Sequence, residues 1–292
     1  RLGLAGVSVT DRNSLAGVVR GHMAAKEAGV AYAPGCRLAF SDGTPDILVW
    51  PEDRPAHGRL CELLTTGKRR APKGECHLGL DDLAAHGEGL VMAVMAPQTL
   101  PQREPVALEY LRDCFGDYVH LAASRRFAEC DQRCLAGLGA MAKRTGAPLL
   151  AVGDTLYHRP ERRFLQDVVS CIREHVSLRE AGRLLEPNAE RHLRDAAEMT
   201  RLFKGYEHAV ARTLEVFSRL HFSVADLKYQ YPDEPTGSPL PPQKTLQKLT
   251  AEGLAQRYPR GAPQKVLKAI DHELDLIGRL KYAPYFLTVY DI

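Results

Sequence analysis

Short apolar runs alternate with helix-period patterns along the first 185 residues. Leu4–Val9 and Leu90–Met95 are typical of buried strands, because they are apolar with little interruption and are bounded by turn residues. The predicted strands are 4–9, 30–33, 37–40, 47–50, 90–95, 118–122 and 148–152. The predicted helices are 15–29, 55–66, 105–115 and 131–145, and a further helix opens at Pro160. Strands and helices that alternate with short loops predict an α/β fold with a parallel sheet, either open or closed into a barrel.

The pattern changes near residue 185, where strands give way to helices. Helices are predicted at 196–203, 207–220 and 245–258, and an apolar stripe from Val266 to Leu280 predicts one more. The proline-rich stretch 229–240 is predicted to be a connector, because proline cannot continue a helix. We therefore predict two domains, 1–185 and 186–292.

Composition narrows the function only slightly. The chain is 45% apolar and 26% charged, which is ordinary for globular domains, and no apolar run approaches the roughly 20 residues of a membrane span. The net charge of +3 is too small to indicate a nucleic-acid partner, and the seven cysteines form no CxxC pair, as expected of reduced thiols. The chain begins at Arg1 without a methionine and both ends fall within patterns, so we expect truncation at both ends.

Several common catalytic motifs are absent from the sequence. There is no GxxxxGK[ST], no HExxH, and neither a GxSxG nor a GxGxxG at a strand–helix junction. These absences argue against a simple NTPase, a zincin and a dinucleotide enzyme.

Two aspartates follow predicted strands and are candidate site residues. Asp11 and Asp154 each lie at a strand end, where parallel folds collect their chemistry. A carboxylate there can bind a metal ion or orient a water molecule. It can equally cap the helix that follows. The residues alone leave both interpretations open.

Two basic groups are candidates for contact with phosphate. The first, Lys68, Arg69, Arg70 and Lys73, lies in a predicted loop. The second, Arg162 and Arg163, lies at a predicted helix start, where the helix dipole disfavours cations unless an anion is near. Each group predicts either DNA contact or simply a solvated face.

Two segments resemble motifs of a known family. Leu4–Val18 resembles the second motif of the polymerase-and-histidinol-phosphatase (PHP) domain that opens the bacterial C-family DNA polymerases. Ala147–Arg163 resembles the late P-L-x-A-x-x-D-x-x-Y motif of that domain. Leu165–His175, Tyr231–Pro235 and Tyr282–Ile292 resemble the error-prone branch in particular. The similarity runs in order along essentially the whole chain.

The resemblance implies a fold and a function. The fold would be a TIM-like PHP barrel lacking its first strand, followed by the α-rich start of the polymerase palm. The full protein would be an error-prone DNA-directed DNA polymerase of the bacterial cytoplasm, used in damage-induced mutagenesis and translesion synthesis. It would act on DNA and dNTPs with Mg²⁺, with the sliding clamp and accessory translesion proteins as further partners and no membrane. The family's catalytic aspartates would lie beyond Ile292, so none is assigned within this chain.

The resemblance also implies that the PHP metal site is broken. Arg12 stands where metal-binding relatives have histidine, and Arg37 stands in place of their glutamate. A guanidinium cannot bind a metal ion. Asp11 and Asp154 would then be remnants, with no cofactor bound, and Arg12 or Arg37 could pair with one of them to hold the barrel mouth closed. The alternatives are a metal-dependent PHP phosphoesterase or exonuclease, and a module that binds DNA or a polymerase partner.

Overall fold

Six strands form one curled sheet in the described part of the chain, which comprises residues 2–95, 106–127, 131–227 and 240–291 of a computed structural model. The strands are β1 (Gly6–Arg12), β2 (Ala31–Leu38), β3 (Ile47–Pro51), β4 (Leu90–Met95), β5 (Val119–Ala123) and β6 (Leu149–Ala151). They lie side by side in sequence order, so β1 and β6 are the edges. The predicted α/β class is confirmed.

The sheet is not parallel throughout, and the prediction was wrong at β3. β1 pairs in parallel with β2, and β4, β5 and β6 are parallel to one another, but β3 is antiparallel to both of its neighbours. No helix occurs between β2 and β3, and a connection as short as 39–46 cannot carry the chain back for a parallel strand.

The two strands predicted at 30–33 and 37–40 are a single strand, β2. The interrupting Pro34 is tolerated because β3 pairs only with Cys36–Leu38, so at Pro34 the strand hydrogen-bonds with β1 alone. Proline lacks an amide donor and is acceptable in a strand where one side needs none.

Eight α-helices accompany the sheet in the described part of the first compact unit, which ends at Leu227. They are α1 (Val18–Ala28), α2 (Arg54–Arg70), α3 (Leu80–His86), α4 (Val106–Phe115), α5 (Asp131–Thr145), α6 (Arg163–Glu174), α7 (Ala196–Leu202) and α8 (Glu207–Arg219). Most of the predicted helices are confirmed to within a few residues, and α5 has the predicted bounds. The short α3 had not been predicted.

The main core lies between one face of the sheet and these helices. Its strand residues include Leu38, Val49 and Met92, and its helix residues include Leu60 and Leu111, all fully buried. Burial of this apolar surface is the main favourable term that holds the helices to the sheet.

Helices α7 and α8 complete this core, although the predicted boundary placed them in the second domain. Leu202, Phe203 and Ala209 belong to the same buried cluster as the strands. The chain divides into compact units at Leu227, not at residue 185. An amphipathic helix shows in its sequence that it has an apolar face, but not which core that face joins.

Helix α8 also reaches the opposite face of the sheet. Its Val216 packs in a second buried cluster, which includes Trp50 of β3 and Leu150 of β6. Arg212 Nη1 donates to the carbonyl oxygen of Leu149 at 2.9 Å, on edge strand β6. Gly6 of β1 lies directly against the ring of Phe217, where an added Cβ atom would overlap that ring.

The second unit is helical throughout the residues that the structure describes. It contains α9 (Pro242–Arg257), α10 (Gln264–Leu280) and α11 (Ala283–Asp291), with α9 in contact with α11. Gln243 Nε2 donates to the carbonyl oxygen of Leu274 at 2.8 Å and so joins α9 to α10. The predicted connector lies almost entirely outside the described residues. No helix of the described ranges is both long and apolar enough to cross a membrane.

We expect Phe203→Ala to lower the free energy of unfolding of the first unit by about 3–5 kcal/mol, because a fully buried aromatic side chain would be replaced by a cavity. The single tryptophan, Trp50, lies in this unit, so its fluorescence during urea titration reports on this unit. Phe164→Ala is the matched control, since Phe164 is 67% exposed and its loss should cost little. Equal effects of the two variants would show that α7 does not hold the core.

Candidate functional site

Charged side chains gather at the edge of the sheet where β1, β2 and β6 end. Arg12 and Arg37 are the last paired residues of β1 with β2 and lie side by side in register. Asp46 precedes β3, which runs in the opposite direction and therefore starts at the same edge. Its carbonyl oxygen accepts from Met95 N at 2.9 Å, which fixes Asp46 beside the end of β4. Asp154 follows β6 and completes the group.

Asp154 is the centre of this cluster. Its side chain is only 6% exposed, and three guanidinium groups surround it. Oδ1 lies 3.0 Å from Arg37 Nη1 and 2.7 Å from Arg191 Nη2, while Oδ2 accepts from Arg126 Nη2. Charge-assisted hydrogen bonds of this kind are among the strongest in proteins. The predicted pairing of Arg37 with one of the two aspartates is confirmed.

The backbone at Asp154 is held as firmly as its side chain. Its φ of 43° lies in the left-handed region, which is costly for a residue with a Cβ atom. Arg191 Nε donates to the Asp154 carbonyl oxygen at 2.8 Å, so one guanidinium contacts both the main chain and the carboxylate. This double contact stabilises the unusual backbone conformation.

Further acceptors position the arginines. Arg37 Nε donates to Asp46 Oδ2 at 2.7 Å, and Arg191 Nη1 lies 2.5 Å from Glu186 Oε1. Arg12 is peripheral, because its Nη1 is 3.9 Å from Asp46 Oδ2 and its side chain is 70% exposed. The cluster thus sets four arginines against three carboxylates.

Asp11 faces a different neighbour. Its Oδ2 accepts from the amide of Gly17 at 2.6 Å, and Gly17 is the N-cap residue of α1. Asp11 therefore binds the residue that precedes α1, and the start of that helix has no side-chain cap. Among the described residues, no group of three or more His, Cys, Asp or Glu side chains could hold a metal ion. Asp11 and Asp154, the two remnant positions, are thus engaged by different partners.

Burial raises the pKa of the Cys36 thiol to about 12, with the Asp11 carboxylate as a lesser cause. Cys36 Sγ donates to the carbonyl oxygen of Asp11 at 3.4 Å. A thiol that stays protonated at neutral pH is a poor nucleophile and a poor metal ligand. Cys36 therefore adds packing to this region and no reactive group.

The first predicted basic group lies mostly at the end of a helix, and only Lys73 is in the predicted loop. Lys68, Arg69 and Arg70 form the last turn of α2, where cations are favoured by the helix dipole, and the helix ends before Pro72. Arg70 binds both carboxylate oxygens of Asp82, at 2.8 and 3.0 Å. That hydrogen bond lowers the pKa of Asp82 and raises the pKa of Arg70. Lys68, Arg69 and Lys73 are exposed.

The two residues of the second predicted basic group differ in their surroundings, because Arg163 is bound by acceptors of the same unit and Arg162 is exposed. Arg163, the first residue of α6, donates through Nη2 to the carbonyl oxygen of Glu186 at 2.5 Å, and its Nε lies 3.6 Å from Asp167. Arg162 is exposed and forms no ion pair among the described residues. Arg163 therefore holds the segment after α6, whereas Arg162 is available to a ligand.

Sequence reasoning missed several members of the cluster. Arg126, Glu186 and Arg191 lie in irregular segments with no motif and no periodicity. The one local signal was the density of charge between Glu186 and Asp195, which contains five charged residues in ten.

Comparisons with known proteins extend this picture. A family model described as the bacterial DNA polymerase III alpha NTPase domain matches residues 244–292. Error-prone DNA polymerase 1 of Rhizobium meliloti is 47% identical over 294 residues, an alignment that covers 100% of this chain and 26% of that protein. The error-prone DNA polymerase of Caulobacter vibrioides is 47% identical over 295 residues, covering 100% of this chain and 27% of that protein.

Solved structures overlap with this chain much less. An amidohydrolase from Chromobacterium violaceum aligns with a TM-score of 0.36 and 14% identity, over 50% of this chain and 75% of that one. An overlap of this size carries no conclusion about function. The chain spans about a quarter of the length of the curated relatives it matches. Over its whole length, this chain is similar to part of two proteins named error-prone DNA polymerase.

Proposed function

We propose that this chain is a non-catalytic region of an error-prone DNA-directed DNA polymerase. The observation that supports the proposal is the similarity of this whole chain to part of proteins named error-prone DNA polymerase. The complete enzyme would extend a primer from dNTPs with Mg²⁺ in the cytoplasm, in damage-induced mutagenesis and translesion synthesis. The sliding clamp and accessory translesion proteins would be its further partners.

Within that enzyme, we infer that residues 1–227 act as a PHP-type scaffold, and that residues 228–292 begin the polymerase palm. The residues at the sheet edge do not fit a metal site. A metal ligand must offer a lone pair, and the Asp154 oxygens are both occupied by guanidinium groups, which also repel a cation. Asp11 is engaged at the start of α1. These side chains therefore support no hydrolytic step through a metal ion.

The scaffold role follows from what the cluster connects. Asp154 joins the end of β2 to the segments that contain Arg126 and Arg191, which are far apart in the sequence. Asp46 extends the network to the start of β3 through Arg37. Breaking a buried ion pair leaves uncompensated charges, so such a network fixes the relative positions of its segments.

We also propose that Lys68, Arg69 and Lys73 contact DNA phosphates in the complete polymerase. They are exposed and close in sequence at the end of α2. Arg70 and Arg163 are less available, because both are bound by acceptors of the same unit.

The function is tested by comparing the full-length protein with this 292-residue chain. We expect the full-length protein to extend a primed template when Mg²⁺ is present, and the chain alone to show neither extension nor phosphoesterase activity. The chain should also bind no stoichiometric Mn²⁺ or Zn²⁺ in calorimetric titration. Chelator-sensitive hydrolysis of a phosphoester by the chain, abolished by Asp11→Ala and Asp154→Ala, would instead establish the phosphoesterase alternative.

The scaffold role predicts that Asp154→Asn lowers the free energy of unfolding of the first unit by about 3–5 kcal/mol, because three guanidinium groups lose their carboxylate. Trp50 fluorescence during urea titration again gives the measurement. Asp117→Asn is the matched control, since its side chain is 96% exposed and its contact with Arg112 is 3.4 Å. If the two variants were equally stable, the cluster would not hold the unit together.

The DNA surface predicts that the triple variant Lys68→Glu, Arg69→Glu, Lys73→Glu binds primed DNA more weakly in the full-length protein. The salt dependence of affinity should also become shallower, because fewer counterions are released. Arg20→Glu, Lys26→Glu and Lys143→Glu together make the control, with the same charge change at exposed helical positions. A similar loss in both triple variants would indicate a general charge effect and no specific surface.

A further inference from the structure

Helix α6 presents an apolar stripe to solvent. Leu165, Val169 and Ile172 recur at helical spacing and are 55%, 49% and 68% exposed. The opposite face is the one that packs inward, with Cys171 buried. A helix on a protein surface ordinarily keeps its solvent face polar, so an apolar solvent face marks an interaction surface.

Leu165 and Val169 of the stripe, with Arg162 and Gln166 of the same segment, form one wall of a shallow groove. The other wall is the segment after β6, with Leu156, Tyr157 and His158, and the groove encloses about 260 Å³. This second wall is rigid, because the amides of Leu156 and Tyr157 both lie within hydrogen-bond distance of the Arg191 carbonyl oxygen, at 2.9 and 3.3 Å. Since Arg191 belongs to the Asp154 cluster, the groove is built on the most tightly fixed part of the unit. A preformed groove saves the ordering cost of binding.

Cations lie at both ends of the stripe. Arg162, one turn before Leu165, is exposed and forms no ion pair within the described ranges. Arg173, at the other end, has a side chain that is 67% exposed and, within the described ranges, forms an ion pair only with the adjacent Glu174, at 2.8 Å. At about 1.5 Å per residue, the distance from Arg162 to Ile172 is roughly 15 Å, or about three helical turns.

We propose that this groove binds an amphipathic helix of a partner protein, about three turns long, with an aliphatic stripe and acidic residues that meet Arg162 and Arg173. The stripe supplies the buried apolar contact, and the arginines set the register and orientation of the helix. This surface uses no residue of the polymerase chemistry and none of the basic residues of α2.

Two other occupants fit less well. A second copy of this chain would bring like charges together, because antiparallel stripes place Arg162 opposite Arg173 and parallel stripes place each arginine opposite itself. Single-stranded nucleic acid binds largely by stacking its bases on aromatic rings, whereas Leu165, Val169 and Ile172 are aliphatic.

The test uses the full 292-residue chain and two synthetic helical peptides of 14 residues. Both carry the same leucine stripe, and one has glutamate and the other lysine at the two ends. We expect the glutamate peptide to bind at least about tenfold more tightly in fluorescence anisotropy, since each charge contact changes affinity by a factor of this order. Val169→Asp should weaken its binding at least about tenfold.

Two further variants distinguish loss of this binding surface from a general effect of adding a negative charge to the protein. Val19→Asp is the matched control for Val169→Asp, because Val19 of α1 is 61% exposed but lies on another helix, and it should leave the affinity unchanged. Arg162→Glu leaves the apolar stripe intact and should abolish the preference for the glutamate peptide, because the surface then has one acidic end and one basic end at Arg173.

Three results would overturn the proposal. The first is equal affinity of the two peptides, or no binding of either at millimolar concentration. The second is the same loss of affinity in Val19→Asp and Val169→Asp. The third is concentration-dependent dimerisation that Val169→Asp abolishes, which would make the groove an interface between copies of this chain.

Discussion

The buried carboxylate of Asp154 is the interaction on which the arrangement of the first unit depends. It accepts from Arg37, Arg126 and Arg191, which come from three segments that are remote in the sequence. Apolar burial holds the helices to the sheet but is not directional. The hydrogen bonds that the carboxylate accepts are directional. They therefore fix where the irregular segments lie over the edge of the sheet. The left-handed backbone at Asp154 persists because Arg191 binds its carbonyl oxygen as well.

This arrangement also leaves few free lone pairs for a metal ion at the Asp154 carboxylate. Parallel strands bring their carboxyl ends to one edge, and carboxylates collected there need a positive counter-charge. In this chain Arg37 supplies that charge to Asp46 and Asp154 together. A metal ion would supply the same charge but would need several free lone pairs. Once guanidinium groups occupy the oxygens, the electrostatic need is met, and a retained aspartate is no longer a sign of metal binding.

The sequence predicted features that depend on neighbouring residues, and it missed contacts between segments that are far apart along the chain. The bounds of β4 and α5 were predicted because a continuous apolar run and a helical period are local. The motif positions offered Arg12 or Arg37 as a partner of one of the two aspartates, and the structure shows Arg37 paired with Asp154. The roles of Arg126 and Arg191 had no such signal, because their contacts join segments that no local pattern links. The antiparallel direction of β3 has a local signal in the short connection 39–46, but the alternation of strands and helices elsewhere favours a parallel sheet.

The boundary predicted at residue 185 separates α8 from a sheet whose two edge strands this helix contacts. An unpaired strand edge exposes backbone donors and acceptors. Arg212 of α8 donates to the carbonyl oxygen of Leu149 on β6, and Phe217 lies on Gly6 of β1, so one helix contacts both edge strands.

The end of α8 is held next to the end of β3 and the start of β5. Arg219 lies over the ring of Tyr118 at 4.3 Å and is 3.6 Å from Glu52 Oε1. The Tyr118 hydroxyl donates to Glu52 Oε2 at 2.5 Å, and this hydrogen bond raises the pKa of Tyr118. A first unit that stopped at residue 185 would lose these contacts together with Arg191. Residues 186–227 are therefore as much a part of the first unit as the strands themselves.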